Sequence, residues 1–312
     1  MQTRPLGRTG LEVSVLCLGA LPMGPLQRNL SPQEGARVVS RALDMGVNFV
    51  DTAQGYRTYP HLAPAILGRE VVVATKSPAA DYQGMQAALD EARRELGRDV
   101  IDIFHLHAAR EGEEVFQARA GALECLLDAR AKGTVRAVGI ATHSVTVVRA
   151  SAARTDIDVV FPIINVRGLG ILHGTRDEMV EAIGDAARAG KGVYAMKALG
   201  GGNLVGELLP ALGYVRGIAG IASVAVGMIS VQEVEVMAAL FSGRAIPSAP
   251  ADTIRGKRLL IAQFCVGCGN CLHQCPAGAL SLAEGRCRVD PDRCILCAYC
   301  APFCPEFAIR VV

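Results

Sequence analysis

A large charge excess and a long apolar segment are both missing from this sequence of 312 residues. The formal net charge is only +2, and no basic run or patch stands out. A nucleic-acid or membrane-surface partner is therefore not indicated, because such partners select basic surfaces. The longest apolar run, from Gly217 to Gln232, is shorter than the ~20 residues that a membrane-spanning helix needs.

The first residues, MQTRPLGRTGLEVSV, also lack the apolar segment and small-residue cleavage site of a secretory signal peptide. We therefore expect a soluble, cytoplasmic protein without a membrane partner. Apolar residues make up 51% of the chain and charged residues 20%, which is typical of a globular protein. The length suits one large domain followed by a small one.

Cysteine, in contrast, is abundant: the chain has eleven, nine of them lie near its C-terminal end, and eight of these nine share a pattern. They form two runs of identical spacing, C-x2-C-x2-C-x3-C-P, and a shift of 29 residues maps one run onto the other. Such an internal duplication predicts two equivalent metal-binding halves. The spacing is that of bacterial ferredoxins and not that of a disulfide framework. The runs are Cys265, Cys268, Cys271, Cys275 and Cys294, Cys297, Cys300, Cys304.

Three thiolates separated by two residues each can surround one face of an iron-sulfur cubane, but the fourth ligand must come from elsewhere. In bacterial ferredoxins, which this tail resembles, the fourth cysteine of each run binds the other cluster. The resemblance implies two [4Fe-4S] clusters, and a pair of zinc ribbons is the alternative. We interpret Cys17, Cys125 and Cys287 as small buried hydrophobic residues. The implied ligand sets are Cys265, Cys268, Cys271, Cys304 and Cys275, Cys294, Cys297, Cys300.

Upstream of the cysteines, eight short apolar segments alternate with segments of helical periodicity, such as Pro32–Met45 and Gly84–Leu96. Near-continuous apolar strands that alternate with helices predict a parallel (β/α)8 barrel. The predicted fold class is therefore α/β, a TIM barrel followed by a small α+β ferredoxin-like domain. The predicted strands are Leu16–Ala20, Val47–Ala53, Val71–Lys76, Asp102–Ala108, Val135–Thr142, Val159–Asn165, Gly192–Leu199 and Ala222–Met228.

Two further segments complete the predicted architecture. The residues Thr3–Gly10 and Leu11–Val15 are expected to form a hairpin that seals the barrel floor. The proline-containing segment Ser242–Arg258 is interpreted as a linker. The predicted domains are residues 1–245, the barrel, and 246–312, the linker with the iron-sulfur domain.

Four polar residues lie at or just after the ends of predicted strands, where a barrel of this kind carries its active site. They are Asp51, Tyr56, Lys76 and His107. The segments FVDTAQGY, VATK and DIFHLHA, together with GRTGLEVSVLCLGA and MKALGGG, resemble the aldo-keto reductase family over residues 3–240. The resemblance implies that these four residues form the catalytic Asp-Tyr-Lys-His tetrad of that family.

The tetrad would reduce a carbonyl with Tyr56 as the proton donor, because hydride addition leaves an alkoxide that must be protonated. A lysine ammonium held against the phenol would stabilise the phenolate, Asp51 would hold Lys76, and His107 would orient the substrate oxygen. Each residue alone also has a structural interpretation: a helix cap, a loop aromatic, a solvated strand end or a core histidine. His105, two residues before His107, keeps the core interpretation.

The resemblance also implies a nicotinamide cofactor. The family's Ser-Asn pair after strand 5 is replaced by Ala141 and Thr142, and Glu233 and Glu235 stand where basic residues often bind the 2′-phosphate of NADP. Glycine loops and a helix N-terminus after strands 7 and 8 still suit phosphate. NADP and NAD therefore both remain open. The predicted cofactor-binding residues are Lys197, Gly200, Gly201, Gly202, Gly227 and Ser230.

A nicotinamide transfers two electrons at once, whereas each cluster passes one. A flavin in the barrel mouth would bridge the two. The first hypothesis is an oxidoreductase that reduces a small carbonyl substrate and is coupled to two clusters. The alternative is a non-catalytic barrel that carries a ferredoxin-type electron carrier or redox sensor. Eight thiolates and two cluster cores would make the tail mildly acidic, and a redox partner protein would meet that face.

Overall fold

The computed structural model describes residues 1–245, 258–306 and 308–311. Fourteen strands and nine α-helices of this part alternate over most of its length. The strands are β1 Thr3–Pro5, β2 Glu12–Ser14, β3 Leu16–Gly19, β4 Phe49–Asp51, β5 Val72–Ser77, β6 Ile101–Ala108, β7 Val135–Thr142, β8 Val159–Pro162, β9 Gly192–Ala195, β10 Ser223–Gly227, β11 Leu259–Ile261, β12 Leu280–Ala283, β13 Arg286–Val289 and β14 Ile309–Val311. The helices are α1 Pro32–Asp44, α2 Tyr59–Ile66, α3 Tyr82–Leu96, α4 Val115–Ala118, α5 Ala120–Ala131, α6 Val145–Ala153, α7 Arg176–Arg188, α8 Leu208–Arg216 and α9 Val231–Ser242.

Strands β3 to β10 form the predicted closed parallel barrel, in which β10 pairs with both β9 and β3. These strands are apolar over almost their whole length because a parallel sheet is covered on both faces. Helices pack around the outside, and the carboxyl ends of the strands meet at one mouth. All eight strands lie within or beside the segments expected from sequence, which confirms the predicted barrel.

Two barrel strands end earlier than their apolar pattern predicts. Beyond β8 and β9, only an isolated bridge between Ile163 and Met196 continues the pairing. The next residue, Lys197, has a φ of 63°, a left-handed conformation that no strand can accommodate. The predicted segments Val159–Asn165 and Gly192–Leu199 therefore contribute loops to the mouth as well as strands.

The N-terminal hairpin closes the opposite end of the barrel. Strands β1 and β2 pair antiparallel, with Arg4 opposite Val13. The side chains of Leu6, Leu11 and Val13 are buried in one cluster with Phe49 and other residues that point into the barrel. Because these side chains fill the floor, the site can open only at the mouth.

The C-terminal residues form two small antiparallel pairs, β11 with β14 and β12 with β13. They lie over the barrel mouth, where Gln27 Nε2 donates to the Leu296 carbonyl at 3.2 Å and Arg110 Nη1 donates to Gln274 Oε1 at 2.8 Å. Ile295 and Cys297 pack into the main hydrophobic core of the barrel. The two parts of the chain therefore share a core.

The predicted boundary at residue 246 and most of the predicted linker Ser242–Arg258 fall on residues 246–257, outside the described part of the chain. The division into 1–245 and 246–312 stays a prediction. No helix among the residues described is both long enough and apolar enough to cross a bilayer.

Candidate active site and iron-sulfur sites

The four residues expected from the strand ends converge at the barrel mouth. Asp51 ends β4, Lys76 lies near the end of β5, and His107 lies near the end of β6. Tyr56 belongs to a single 3-10 turn, Gln54–Tyr56, that follows β4. Since β4, β5 and β6 are neighbours in the sheet, their ends place these side chains around one small volume.

Asp51 and Lys76 form a buried ion pair beneath that volume. Lys76 Nζ donates to Asp51 Oδ1 at 2.6 Å and to the Thr52 carbonyl at 2.7 Å. Burial raises the pKa of Asp51 and lowers that of Lys76, and in each case the charge of the partner opposes the effect of burial. Tyr194 Oη donates to the second carboxylate oxygen of Asp51 at 3.0 Å and lies 2.8 Å from His105 Nε2. His105 is thus a hydrogen-bonded core histidine, and the pair is held from both sides.

This ion pair yields a stability prediction. The substitution Asp51→Asn leaves a buried ammonium without its counter-charge, so we expect the free energy of unfolding to fall by about 3–5 kcal/mol. The exposed pair of Arg69 with Asp44 is the matched control, because Asp44→Asn should cost at most about 1 kcal/mol. Urea unfolding is followed by far-UV circular dichroism, since the chain has no tryptophan. Equal losses for the two variants would contradict the prediction.

Tyr56 is 7% exposed. Its surroundings differ from the sequence expectation, which placed the Lys76 ammonium against the phenol oxygen. Lys76 Nζ lies 5.0 Å from the centroid of the Tyr56 ring, and its hydrogen bonds go to Asp51 and Thr52. Burial, followed by the nearby hydroxyl of Tyr299 and the charge of Asp51, raises the pKa of Tyr56 well above its ordinary value. The phenol is therefore protonated at neutral pH, which is the form that can donate a proton.

His107 faces Tyr56, with the two ring centroids 6.0 Å apart and the rings nearly perpendicular. Burial, followed by the charge of Lys76, lowers the pKa of His107 well below its ordinary value. The imidazole is therefore neutral and has one N–H to donate. Two neutral donors, a phenol and an imidazole, border the same space.

A tyrosine of the C-terminal part of the chain fills that space. The hydroxyl of Tyr299 lies 3.5 Å from Tyr56 Oη and 3.2 Å from His107 Nε2. Tyr299 lies between Cys297 and Cys300 in the second cysteine run. The iron-sulfur loop therefore contributes a side chain directly to the barrel site.

An apolar cavity extends from Tyr56 toward the ends of β9 and β10. Phe161, Met196 and Met228 line it, together with Asp51 and Tyr56. Such a lining suits the planar ring of a redox cofactor. Of the predicted cofactor-binding residues, the cavity is lined by Lys197, Gly201, Gly202 and Gly227.

The glycines of this cavity also have packing reasons to be glycine. A Cβ on Gly201 would lie 1.8 Å from the Ile295 carbonyl, and a Cβ on Gly227 would lie 2.4 Å from Pro22. Gly200 is buried against Leu169 and Leu204. The loop expected to bind phosphate therefore packs against the second cysteine run.

Ser230 caps helix α9 and is not part of the cavity lining. Its hydroxyl accepts from the Glu233 amide at 3.1 Å, and Glu233 Oε2 accepts from the Ile229 amide at 2.7 Å. The Ser230 hydroxyl and the Glu233 carboxylate thus already accept from two backbone amides that a phosphate at this helix N-terminus would use. The cavity fits a cofactor ring better than it fits an anionic phosphate at this helix end.

The first predicted ligand set lines one small cavity of the C-terminal part. Cys265, Cys268, Cys271 and Cys304 all border it, so the fourth cysteine of the second run joins the first three of the first run. Cys287 lines the same cavity, with its sulfur 3.5 Å from that of Cys271 and its amide directed at the Cys265 sulfur. Cys287 is a buried thiol, as expected, but it lies beside the ligand set.

The second predicted ligand set lies on the side of the C-terminal part that contacts the barrel. Cys294, Cys297 and Cys300 are buried together. Burial raises the pKa of the Cys300 thiol, and the neighbouring thiols of Cys297 and Cys275 raise it further. The Ala279 amide donates to Cys275 at 3.2 Å. Ala308 corresponds to Ala279 in the 29-residue repeat, and its amide donates to the Cys304 sulfur at 3.3 Å. Thiolates with backbone donors to sulfur are the chemistry that a cubane uses.

The duplicated halves differ in their surroundings. Val266 of the first run is 62% exposed, whereas its counterpart Ile295, 29 residues later, is 2% exposed. Cys268 is exposed, whereas its counterpart Cys297 is buried in the barrel core. The set that contains Cys297 therefore faces the barrel site, and the other set faces outward.

Sequence reasoning missed Tyr299, Tyr194 and His143. The 29-residue repeat aligns Tyr299 with Asn270, but the two runs share only their cysteines and the following proline, so the repeat did not single out Tyr299. Nothing in the sequence pattern distinguished Tyr194, whose role depends on contacts with distant strands. His143 is buried, and neither of its ring nitrogens has a hydrogen-bond partner among the residues described. Burial, followed by the charge of Lys197, lowers the pKa of His143 to about 3.

Comparison with known proteins finds a matching family for each of the two parts of the chain. The aldo/keto reductase family matches residues 15–211, and the 4Fe-4S dicluster domain matches residues 264–308. The chain is 28% identical over 156 residues to L-galactose dehydrogenase of Arabidopsis thaliana, covering 45% of this chain and 48% of that protein. It spans about half the length of the curated barrel relatives that it matches.

The iron-sulfur part is 38% identical over 47 residues to one component of an ion-translocating oxidoreductase complex of Methanosarcina acetivorans, covering 15% of this chain and 18% of that protein. Among solved structures, an aldo-keto reductase from Bacillus halodurans in its holo form is similar in fold. Its TM-score is 0.64 at 20% identity, covering 80% of this chain and 93% of that chain.

The sequence-based predictions of family, fold class and enzyme class are confirmed, and the dicluster match favours iron-sulfur clusters over zinc ribbons. The relatives include dehydrogenases and a reductase. Since the barrel family matches more than half of the chain, this protein belongs to the aldo/keto reductase family and is an oxidoreductase that carries a 4Fe-4S dicluster domain.

Proposed function

We propose that this oxidoreductase reduces a carbonyl group, with Tyr56 as the proton donor, and that the reaction is coupled to two [4Fe-4S] clusters. The observation that carries the proposal is the convergence of Tyr56 Oη and His107 Nε2 on a single oxygen, that of Tyr299. A carbonyl oxygen in this position would contact both donors. The family match makes carbonyl chemistry the natural use of such a pair.

Each residue of the tetrad then has a distinct role. Tyr56 is protonated and gives its proton to the oxygen as negative charge develops there. His107 is neutral and orients the same oxygen through its Nε2. Asp51 holds the Lys76 ammonium 5.0 Å from the centre of the phenol ring, and this ammonium would stabilise the phenolate that proton donation leaves. A nicotinamide, which the family suggests, would supply hydride from the cavity beside Tyr56.

We assign the clusters to the two crossed cysteine sets. The set of Cys275, Cys294, Cys297 and Cys300 would hold the cluster next to the barrel site, and the other set would hold a cluster that faces outward. Lys197 lines the cofactor cavity, and the thiols of Cys297 and Cys294 oppose the effect of burial on its pKa. An electron on the inner cluster is therefore close to a positive charge and to the cavity. The outer cluster would exchange electrons with a redox partner protein in the cytoplasm, a reducing compartment that suits the free thiols.

A second candidate function is electron carriage without carbonyl chemistry. The observation that favours it is Tyr299, which covers Tyr56 and fills the place of the substrate oxygen. In this case the barrel would serve as a scaffold for the clusters. The substrate of the first candidate and the partner of the second are separate proposals.

The test uses holoprotein purified without oxygen. We expect a broad iron-sulfur absorption, and we expect oxidation of NADPH or NADH in the presence of at least one member of a panel of small aldehydes and ketones. Extraction of bound small molecules shows whether a flavin is also present and bridges hydride to single electrons. Absence of turnover with the whole panel, together with cluster cycling by a reductase, would favour the carrier function instead.

A further inference from the structure

The aromatic side chain between two cluster ligands is the feature that the proposed function leaves unexplained. Tyr299 is partly exposed at the barrel mouth, while Tyr56 behind it is 7% exposed. The Tyr299 ring is nearly perpendicular to the His107 ring, at an angle of 82° and a centroid distance of 5.9 Å. The Tyr299 hydroxyl is thus directed at the two donors and is not turned toward the solvent.

The contacts of this hydroxyl are long. The distance of 3.5 Å to Tyr56 Oη exceeds the usual 2.5–3.0 Å for O–H···O bonds, and 3.2 Å to His107 Nε2 is at the upper end for N–H···O bonds. The hydroxyl is therefore held weakly by both donors. Another oxygen that made shorter bonds to the same donors would replace it.

The backbone of the loop is held more firmly than the side chain. Asn203 donates to the Cys294 carbonyl, Gln27 donates to the Leu296 carbonyl, and Ile295 is buried against the glycine of the β9 loop. If the Tyr299 ring withdrew, its side chain would therefore rotate about its own torsion angles while the loop backbone stayed in place. The proposed ligands Cys297 and Cys300 lie close to Tyr299 in the chain.

We infer that Tyr299 determines the affinity of the active site for carbonyl ligands, because its hydroxyl and the substrate oxygen compete for one position between Tyr56 and His107. This inference rests on the proposed function for the identity of the substrate. The iron-sulfur domain then contributes a specificity residue to the barrel. Only a ligand that displaces the tyrosine reaches the proton donor, and its arrival moves a residue flanked by two ligands of the inner cluster.

The variant Tyr299→Phe tests the competition, because it keeps the ring and removes the hydroxyl. The probe is benzamide, an aryl carbonyl that hydride transfer does not consume, and its dissociation constant is measured by calorimetry with oxidised holoprotein. We expect the dissociation constant to fall about two- to threefold, the lower end of the effect of losing one competing hydrogen bond, because both contacts of the hydroxyl are long. Tyr214→Phe, in helix α8, is the matched control and should bind as the unmodified protein does.

An unchanged or increased dissociation constant in Tyr299→Phe, or no binding at all, overturns the inference. A second measurement needs no variant: benzamide should alter the electron paramagnetic resonance signal of the inner cluster in the reduced, unmodified protein. An unaltered signal at saturating benzamide also counts against the inference. Affinity is measured here without turnover, so a missing carbonyl reductase activity would overturn the proposed function and leave the competition intact.

Discussion

Replacement of Tyr56 by phenylalanine is expected to lower kcat for carbonyl reduction by about 10²–10⁴-fold, with little change in iron content. The phenol is the proton donor, and this is the usual range for loss of a positioned acid. The ring stays in place, so its packing against Lys76 and His107 should persist. Steady-state turnover of an aldehyde that the unmodified protein reduces is the measurement.

Two observations separate this effect from a structural one. Tyr56→Phe should retain the iron-sulfur absorption and the circular dichroism of the unmodified protein. Tyr214→Phe, which changes a tyrosine away from the barrel mouth, should keep full activity. If Tyr56→Phe turns over at the unmodified rate, another group donates the proton and the proposed mechanism is wrong.

Loss of Cys275 is expected to remove the inner cluster, although Cys275 lies in the first cysteine run. In the crossed arrangement it is the fourth ligand of the cluster held by Cys294, Cys297 and Cys300. Cys275→Ala should therefore reduce bound iron from about eight to about four per chain, the content of one [4Fe-4S] cluster. Iron analysis with the paramagnetic signal of the reduced protein measures this result.

Paired substitutions decide between crossed and local ligand sets. Cys275→Ala combined with Cys297→Ala should lose no more iron than Cys275→Ala alone, because both remove the same cluster. Cys275→Ala combined with Cys268→Ala should lose both clusters. The reverse pattern would mean that each run binds its own cluster, which contradicts the cavity that joins Cys304 to the first run. Cys125→Ala, at a buried cysteine of helix α5, is the control and should keep all the iron.

Loss of a cluster in the C-terminal part is expected to affect the barrel site, because the two parts of the chain meet at the barrel mouth. Ile295 and Cys297 belong to the hydrophobic core of the barrel, so loss of the inner cluster should also disturb the cover over Tyr56. Loss of the outer cluster through Cys268, which is exposed, should leave that cover in place. The two losses are therefore expected to differ in their effect on carbonyl turnover.

Local patterns in the chain predicted much of this protein. The apolar segments predicted eight barrel strands because a strand covered on both faces must be apolar throughout. The repeated spacing predicted two cluster sites because a cubane needs thiolates at set intervals. The strand ends indicated Asp51, Tyr56, Lys76 and His107, and the structure brings these four together. Their catalytic roles are proposals that the variants above test.

Long-range contacts decided the rest. Asp51 holds Lys76 as expected, but the expectation that Lys76 would also lie against the Tyr56 oxygen did not include the Thr52 carbonyl, which takes a second hydrogen bond of Lys76. The glycines expected to bind phosphate gave no hint that Ile295 packs on Gly201. A residue spacing describes neighbours along the chain, whereas these contacts join segments that are tens of residues or more apart.

By itself, the sequence determined that this chain builds a (β/α)8 barrel and two cysteine sets, because hydrophobic period and ligand spacing act over short stretches of chain. Only the tertiary structure decided that the second cysteine run lies over the mouth, and that Tyr299 rests between Tyr56 and His107. The reason is physical: burial of Ile295 and Cys297 in the barrel core holds the loop there, and burial depends on surfaces that meet only after folding.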